Sequence, residues 1–231
     1  MATFEAQVES LTGLTIGSSG TTPTQAELSQ FLKDGVLDVT NKWLAGHPGD
    51  SRLFSRVSAE KTSNTSSPLD LNGATIISVV REDGVTSDNW RPCREVPSAL
   101  QHLVTDKDSL NYASKFNPVY MISDNGQISV FPAPGSDPDA FKVYYVNNVP
   151  VDKGGSALVY SHSDIGYFMD EKVYLVVLYA GIKALEAKLA EYMIDDEDVE
   201  LVQALQTNLS NLKQDYFSAF GSPQQEQPRG G

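Results

Sequence analysis

Apolar residues step by three and four through residues 173–193. Leu175, Leu178, Ile182, Leu185, Leu189 and Met193 share one side of a helix, and the spacing predicts an amphipathic helix buried along that stripe. The stepping resumes at Val202 and runs through Leu205, Leu209, Leu212 and Tyr216 to Phe220. Only the acidic run 195–200 lies between, and so short a connection makes the two helices antiparallel neighbours. The first helix carries a second apolar face: Val173, Val176, Val177, Ala180, Ala184 and Ala187. One partner helix cannot cover both. The small side chains Ala180, Ala184 and Ala187 permit close approach, and they are expected to meet a sheet, another helix or a second subunit.

Upstream, Phe4, Val8 and Leu11 share a helical face, so 4–14 reads as a short helix or arm, followed by a Gly/Ser/Thr linker at 15–23. Thr24 with Glu27 spells a capping box that opens a helix. Its buried side is Leu28, Phe31 or Leu32, Gly35 or Val36, Val39 and Trp43. Gly46 and Pro48 are expected to end it by left-handed termination. The middle reads as strands: 74–81 is a β-branched run before Asp83-Gly84, and 119–123 and 127–131 flank an Asn125-Gly126 hairpin. In 141–146, Phe141, Val143 and Tyr145 alternate onto one side, while 97–104 reads as one or two helical turns after proline. The tail 221–231, rich in Gln, Pro and Gly, is expected to be disordered or to order only on contact.

The layout is therefore α+β: a small helical bundle (N-terminal helix plus C-terminal helix pair) with an inserted antiparallel β-domain. Residues 1–23 form an N-terminal arm and linker, 24–50 and 163–220 the bundle, 51–162 the inserted domain and 221–231 a flexible tail.

Composition narrows the function classes. At 231 residues the chain can bury a proper core. A formal net charge of -13 argues against broad DNA gripping, which needs clustered positive charge. A single cysteine, Cys93, excludes an intrachain disulfide and fits synthesis in a reducing cytoplasm. The N-terminus lacks a signal-peptide pattern. The longest apolar stretch, 173–182, is about half of a bilayer span, so the protein is expected to be soluble with no membrane partner.

Candidate chemistry is sparse. His47, His102 and His162 lie far apart in sequence. Ser161-His162-Ser163-Asp164 has the letters of a triad without triad geometry, and a helix cap at Ser163 or Asp164 explains them better. The acidic run lacks the ligand spacing of a calcium loop and reads as a helix start favoured by the helix dipole. Lys153-Gly154-Gly155 reads as a turn and not a phosphate loop. Five of the six arginines (Arg52, Arg56, Arg81, Arg91 and Arg94) precede residue 95, while acid clusters near the C-terminus. That polarity suits docking between subunits, with Arg52 and Arg56 as contacts, or ordinary strand-edge and loop arginines. The aromatics of the middle segment read as core and interface packing. No catalytic residue, cofactor or metal is expected.

The segment 113–134, with Asn117-Pro118-Val119-Tyr120, the Asn125-Gly126 turn and Val130-Phe131-Pro132-Ala133-Pro134, resembles virion proteins of tailed bacteriophages. Tyr144-Tyr145-Val146, Val149-Pro150 and the opening Phe168-Met169-Asp170-Glu171 follow, and the order resembles head-to-tail adaptor proteins of the neck, also called connector or head-completion proteins. The resemblance implies a twelve-subunit homo-oligomeric ring beneath the portal protein, joined to a tail or nozzle protein, located in the virion neck and made in the host cytoplasm. It implies a passive DNA channel without sequence-specific binding. Phe4, Val8 and Leu11 would anchor an N-terminal arm on the portal or a neighbouring subunit. A tail-completion or baseplate component is the alternative structural reading. A small hydrolase using His162 is the enzymatic one.

Overall fold

The computed structural model describes residues 2–64, 71, 73–122, 126–195 and 199–220. In chain order its elements are α1 (Phe4–Thr12), α2 (Gln25–Gly46), β1 (Ser55–Val57), β2 (Ile76–Glu82), β3 (Trp90–Pro92) and β4 (Arg94–Glu95). There follow α3 (Gln101–Thr105), β5 (Val119–Ile122), β6 (Ile128–Phe131), β7 (Phe141–Val146), α4 (Val173–Asp195) and α5 (Val199–Ser218). The chain divides into two units, Met1–Phe54 with Val149–Gly231, and Ser55–Asn148. The fold is α+β.

The first unit is a helical bundle built on α4, against which α1, α2 and α5 all pack. The two apolar faces of α4 thus find partners within the chain. Leu175, Leu185, Leu205 and Leu212 are buried, whereas Leu178 is only half-buried. Glycines set the closest approaches. A Cβ on Gly181 of α4 would stand 2.9 Å from Leu11 Cδ2 of α1, and one on Gly35 of α2 would stand 3.0 Å from Tyr179 Cδ1 of α4.

The capping box of α2 is present: Thr24 Oγ1 accepts from the Glu27 backbone N–H, and the Glu27 carboxylate accepts from that of Thr24 at 2.7 Å. The other end differs from expectation. Its cap is His47 at φ -134, not a left-handed glycine. His47 stacks on Trp43 with ring centroids 4.3 Å apart, and Trp43 Nε1 donates to Asp50 at 2.9 Å, so side chains fix the exit.

Residues 2–23 are no separate arm. Thr3 caps α1, and Gly13 ends it in a left-handed conformation at φ 72. The N–H groups of Phe4 and Glu5, which an isolated helix leaves unpaired, donate to the carbonyls of His162 and Tyr160 at 2.8 and 3.0 Å. The expected linker is pinned as well. Ile16 is buried, and its N–H reaches the Glu9 carboxylate at 2.8 Å.

The second unit holds a four-stranded antiparallel sheet, ordered β1-β7-β2-β3, and a three-stranded sheet, β4-β5-β6. One pair departs from the antiparallel expectation: β4 and β5 run parallel. The intervening chain carries α3, as a parallel crossover requires. One core joins Val79, Phe141 and Val143 to Tyr120, Ile128 and Val130, and Tyr145 packs against it. Another gathers Val96, Val104, Ala113, Val119 and Met121. Gly126 of the expected hairpin adopts φ 75, while Asn125 lies outside the described residues. The unit starts and ends inside the expected 51–162 insert; residues 149–162 group with the bundle, where the Tyr160 and His162 carbonyls accept from α1.

Candidate interaction surfaces

The residues expected to make contacts between subunits are distributed differently from that reading. Phe4 and Val8 are 0% exposed and belong to the core of the bundle, so they cannot anchor a free arm. Leu11 is half-buried against the Gly181 position. Ala180 and Ala184 are likewise 0% exposed, which takes them out of contact with any second subunit, and Ala187 is half-buried. The reason is common to all six: α1 and α2 already pack on α4. Arg52 is exposed at the end of the α2 exit, and Arg56 is half-buried on β1.

Arg81 corrects the docking reading most sharply. It is 1% exposed, and its guanidinium donates to the carbonyls of Pro132 (3.1 Å), Ala133 (3.3 Å) and Glu82, and to the Asp139 carboxylate at 2.8 Å. It holds the Pro132-Ala133 segment onto β2. The neighbouring Glu82 and Asp83 are buried too, and both accept backbone N–H groups: Glu82 from Ala140 and Asp88, Asp83 from Val85 and Thr86. The N–H groups of Thr86 and then Val85 hold the Asp83 carboxyl below its usual range, with help from Asn89 and Arg91. The β-branched run points to the strand but carries no sign that its last two positions and the residue after them form a buried polar knot.

The histidines stay apart in their surroundings. His47 stacks on Trp43, His102 is exposed on α3, and His162 lies with Nε2 3.7 Å from Asp152 Oδ2. The His162 Nδ1 is buried without a hydrogen-bond partner. Ser163 and Asp164 do not cap a helix. The helical turn begins only at Asp170, and Asp164 accepts the Lys153 backbone N–H at 2.9 Å. Burial pushes the Cys93 thiol up to about 12, which keeps it protonated at neutral pH. Among the described residues no cluster of metal-ligating side chains occurs, and no helix is long and apolar enough to cross a membrane. Residues 196–198 of the acidic run and the tail 221–231 lie outside the described residues.

Two grooves mark the bundle. One, about 520 Å³, runs between α1 and α4 and is lined by Ala6, Leu11, Tyr174, Val177 and Leu178 among others. The other, about 400 Å³, lies among α2, α4 and α5. Lys42, Lys183 and Lys213 converge there beside Tyr179, Tyr216 and Phe217. The Tyr216 hydroxyl donates to Asp38, and burial followed by that bond raises its pKa. Lys42 Nζ sits 4.9 Å from the Tyr216 ring centroid and 5.3 Å from that of Phe217. On the second unit, Val57 and Tyr144, paired across β1 and β7, are both exposed. Compared with known proteins, the chain matches no protein-family model and no curated protein.

Proposed function

We propose that the chain is a structural subunit of a tailed-bacteriophage particle, a head-to-tail adaptor that assembles as a ring between portal and tail and lets DNA pass. The observation that carries the reading is apolar surface left over on both units after each has closed its own core. Tyr174 is 51% exposed beside the α1–α4 groove, Phe217 61% on α5, and Val57 and Tyr144 45% and 40% on the four-stranded sheet. Large exposed side chains on each unit suit a part that touches neighbours. The resemblance of 113–150 and of the helix pair to neck proteins supports a position between head and tail. The acidic balance suits a lumen that does not retain DNA. Antibody against this chain, gold-labelled and applied to particles that encode it, is expected to mark the junction of head and tail. Label at the distal tip would favour a baseplate component instead, and particles without label would remove the virion reading.

A further inference from the structure

We propose that the lysine-lined groove among α2, α4 and α5 receives the acidic α4–α5 connection of a second copy of this chain. The inference rests on the assembly reading above and names one contact that builds the assembly. In a chain with a net charge of -13, three lysines from three helices meet in this groove against two carboxylates, Asp38, which pairs with Lys42 at 2.7 Å, and Glu186. Lys183 and Lys213 share a single carboxylate, Glu186, at 2.8 and 2.9 Å, so that pair of cations is answered by one anion. Both lysines are about two-fifths exposed, and ion pairs at such exposure are weak enough to admit a further carboxylate. Tyr179, Ile182 and Phe217 add an apolar wall.

The complementary segment is in the same sequence. Asp195, Asp196, Glu197, Asp198 and Glu200 place five carboxylates within residues 195–200, followed by Leu201, which is 40% exposed. No copy fills its own groove this way. Lys183 precedes the end of α4 at Asp195 by about 18 Å of helix, and Lys213 lies a similar distance beyond the start of α5. The contact therefore joins two different patches on two copies. Such a heterologous contact repeats from copy to copy and closes into a ring when the rotation permits.

The test is the assembly mass of the full-length protein by sedimentation, at low and raised salt. The groove reversal Lys183→Glu with Lys213→Glu and the connection reversal Asp196→Lys, Glu197→Lys, Asp198→Lys are each expected to weaken association about tenfold or more, and salt to weaken the wild type. Combining both reversals in one chain should restore assembly, because the charges again oppose. The connection variant alters no groove residue, so a groove variant that fails to fold leaves the test intact. Wild-type assembly by both single reversals, or a combined variant as dissociated as either, overturns the contact while leaving the assembly reading standing. A wild-type protein that stays at monomer mass at every concentration overturns both.

Discussion

Arg81 shows how one residue organises the inserted unit. Truncating it removes the donors of the Pro132 and Ala133 carbonyls and one cation of Asp139, which retains Lys115 at 3.6 Å. Arg81→Ala is expected to cost roughly 2–4 kcal/mol in denaturant unfolding, since buried acceptors left unpaired each carry a penalty. A loss below half a kcal/mol would mean that water replaces the guanidinium. Asp83 adds a pH dependence. Its folded pKa is lowered, so its contribution is fully present above the unfolded value of 3.8 and disappears as the pH falls through the folded pKa. Asp83→Asn should flatten the acid limb of stability below about pH 4, where the unfolded carboxyl titrates. An unchanged acid limb would show that the loop after β2 does not depend on that charge. None of this polar knot was legible in the sequence, where Arg81, Glu82 and Asp83 look like a strand end running into a turn. Burial by Pro132–Asp139, some fifty residues away, is a tertiary fact that local pattern does not carry.

Element boundaries were far more legible, because periodicity and caps are local. The 3.6-residue stepping located α4 and α5, Thr24 and Glu27 located the start of α2, and β7 coincides with its alternating run 141–146. What stayed hidden was partnership. The surplus face of α4 demanded a cover, and the cover is α1 and α2 of the same chain, which turns Phe4 and Val8 from arm anchors into core. Phe4→Ala should therefore destabilise the bundle by about 3–5 kcal/mol and Leu185→Ala by about 2–5 kcal/mol, measured as unfolding free energies. Removal of residues 1–22 should unfold or strongly destabilise the protein. A truncated chain with wild-type stability would return α1 to the role of a detachable arm. Gly181→Val makes the same point from the other side: added carbons meet Leu11 and Thr12, so the amides of α1 should exchange faster with solvent while those of β7 do not change.

At the scale of the whole molecule, the sequence pointed to the architecture but not to the lysine-lined groove, none of whose residues was among the expected contacts. The helices α1, α2, α4 and α5 build the bundle and the segment between α2 and α4 builds the sheets, as hydrophobic periodicity switching from helix to strand and back implies. Contact surfaces were harder to read, because a surface patch gathers side chains from separate elements. Lys42, Lys183 and Lys213 are scattered in sequence and meet only when α2, α4 and α5 are packed. The alanine stripe, by contrast, lies within one helix, and the fold buries Ala180 and Ala184 and half-buries Ala187. The central claim is that this chain is made to assemble with copies of itself, and the most direct measurement is the native mass of the purified full-length protein across a concentration series. A closed ring of twelve 25.1 kDa chains, about 300 kDa, is the predicted species, appearing without intermediates of indefinite length. A single 25.1 kDa species throughout the series would contradict the account.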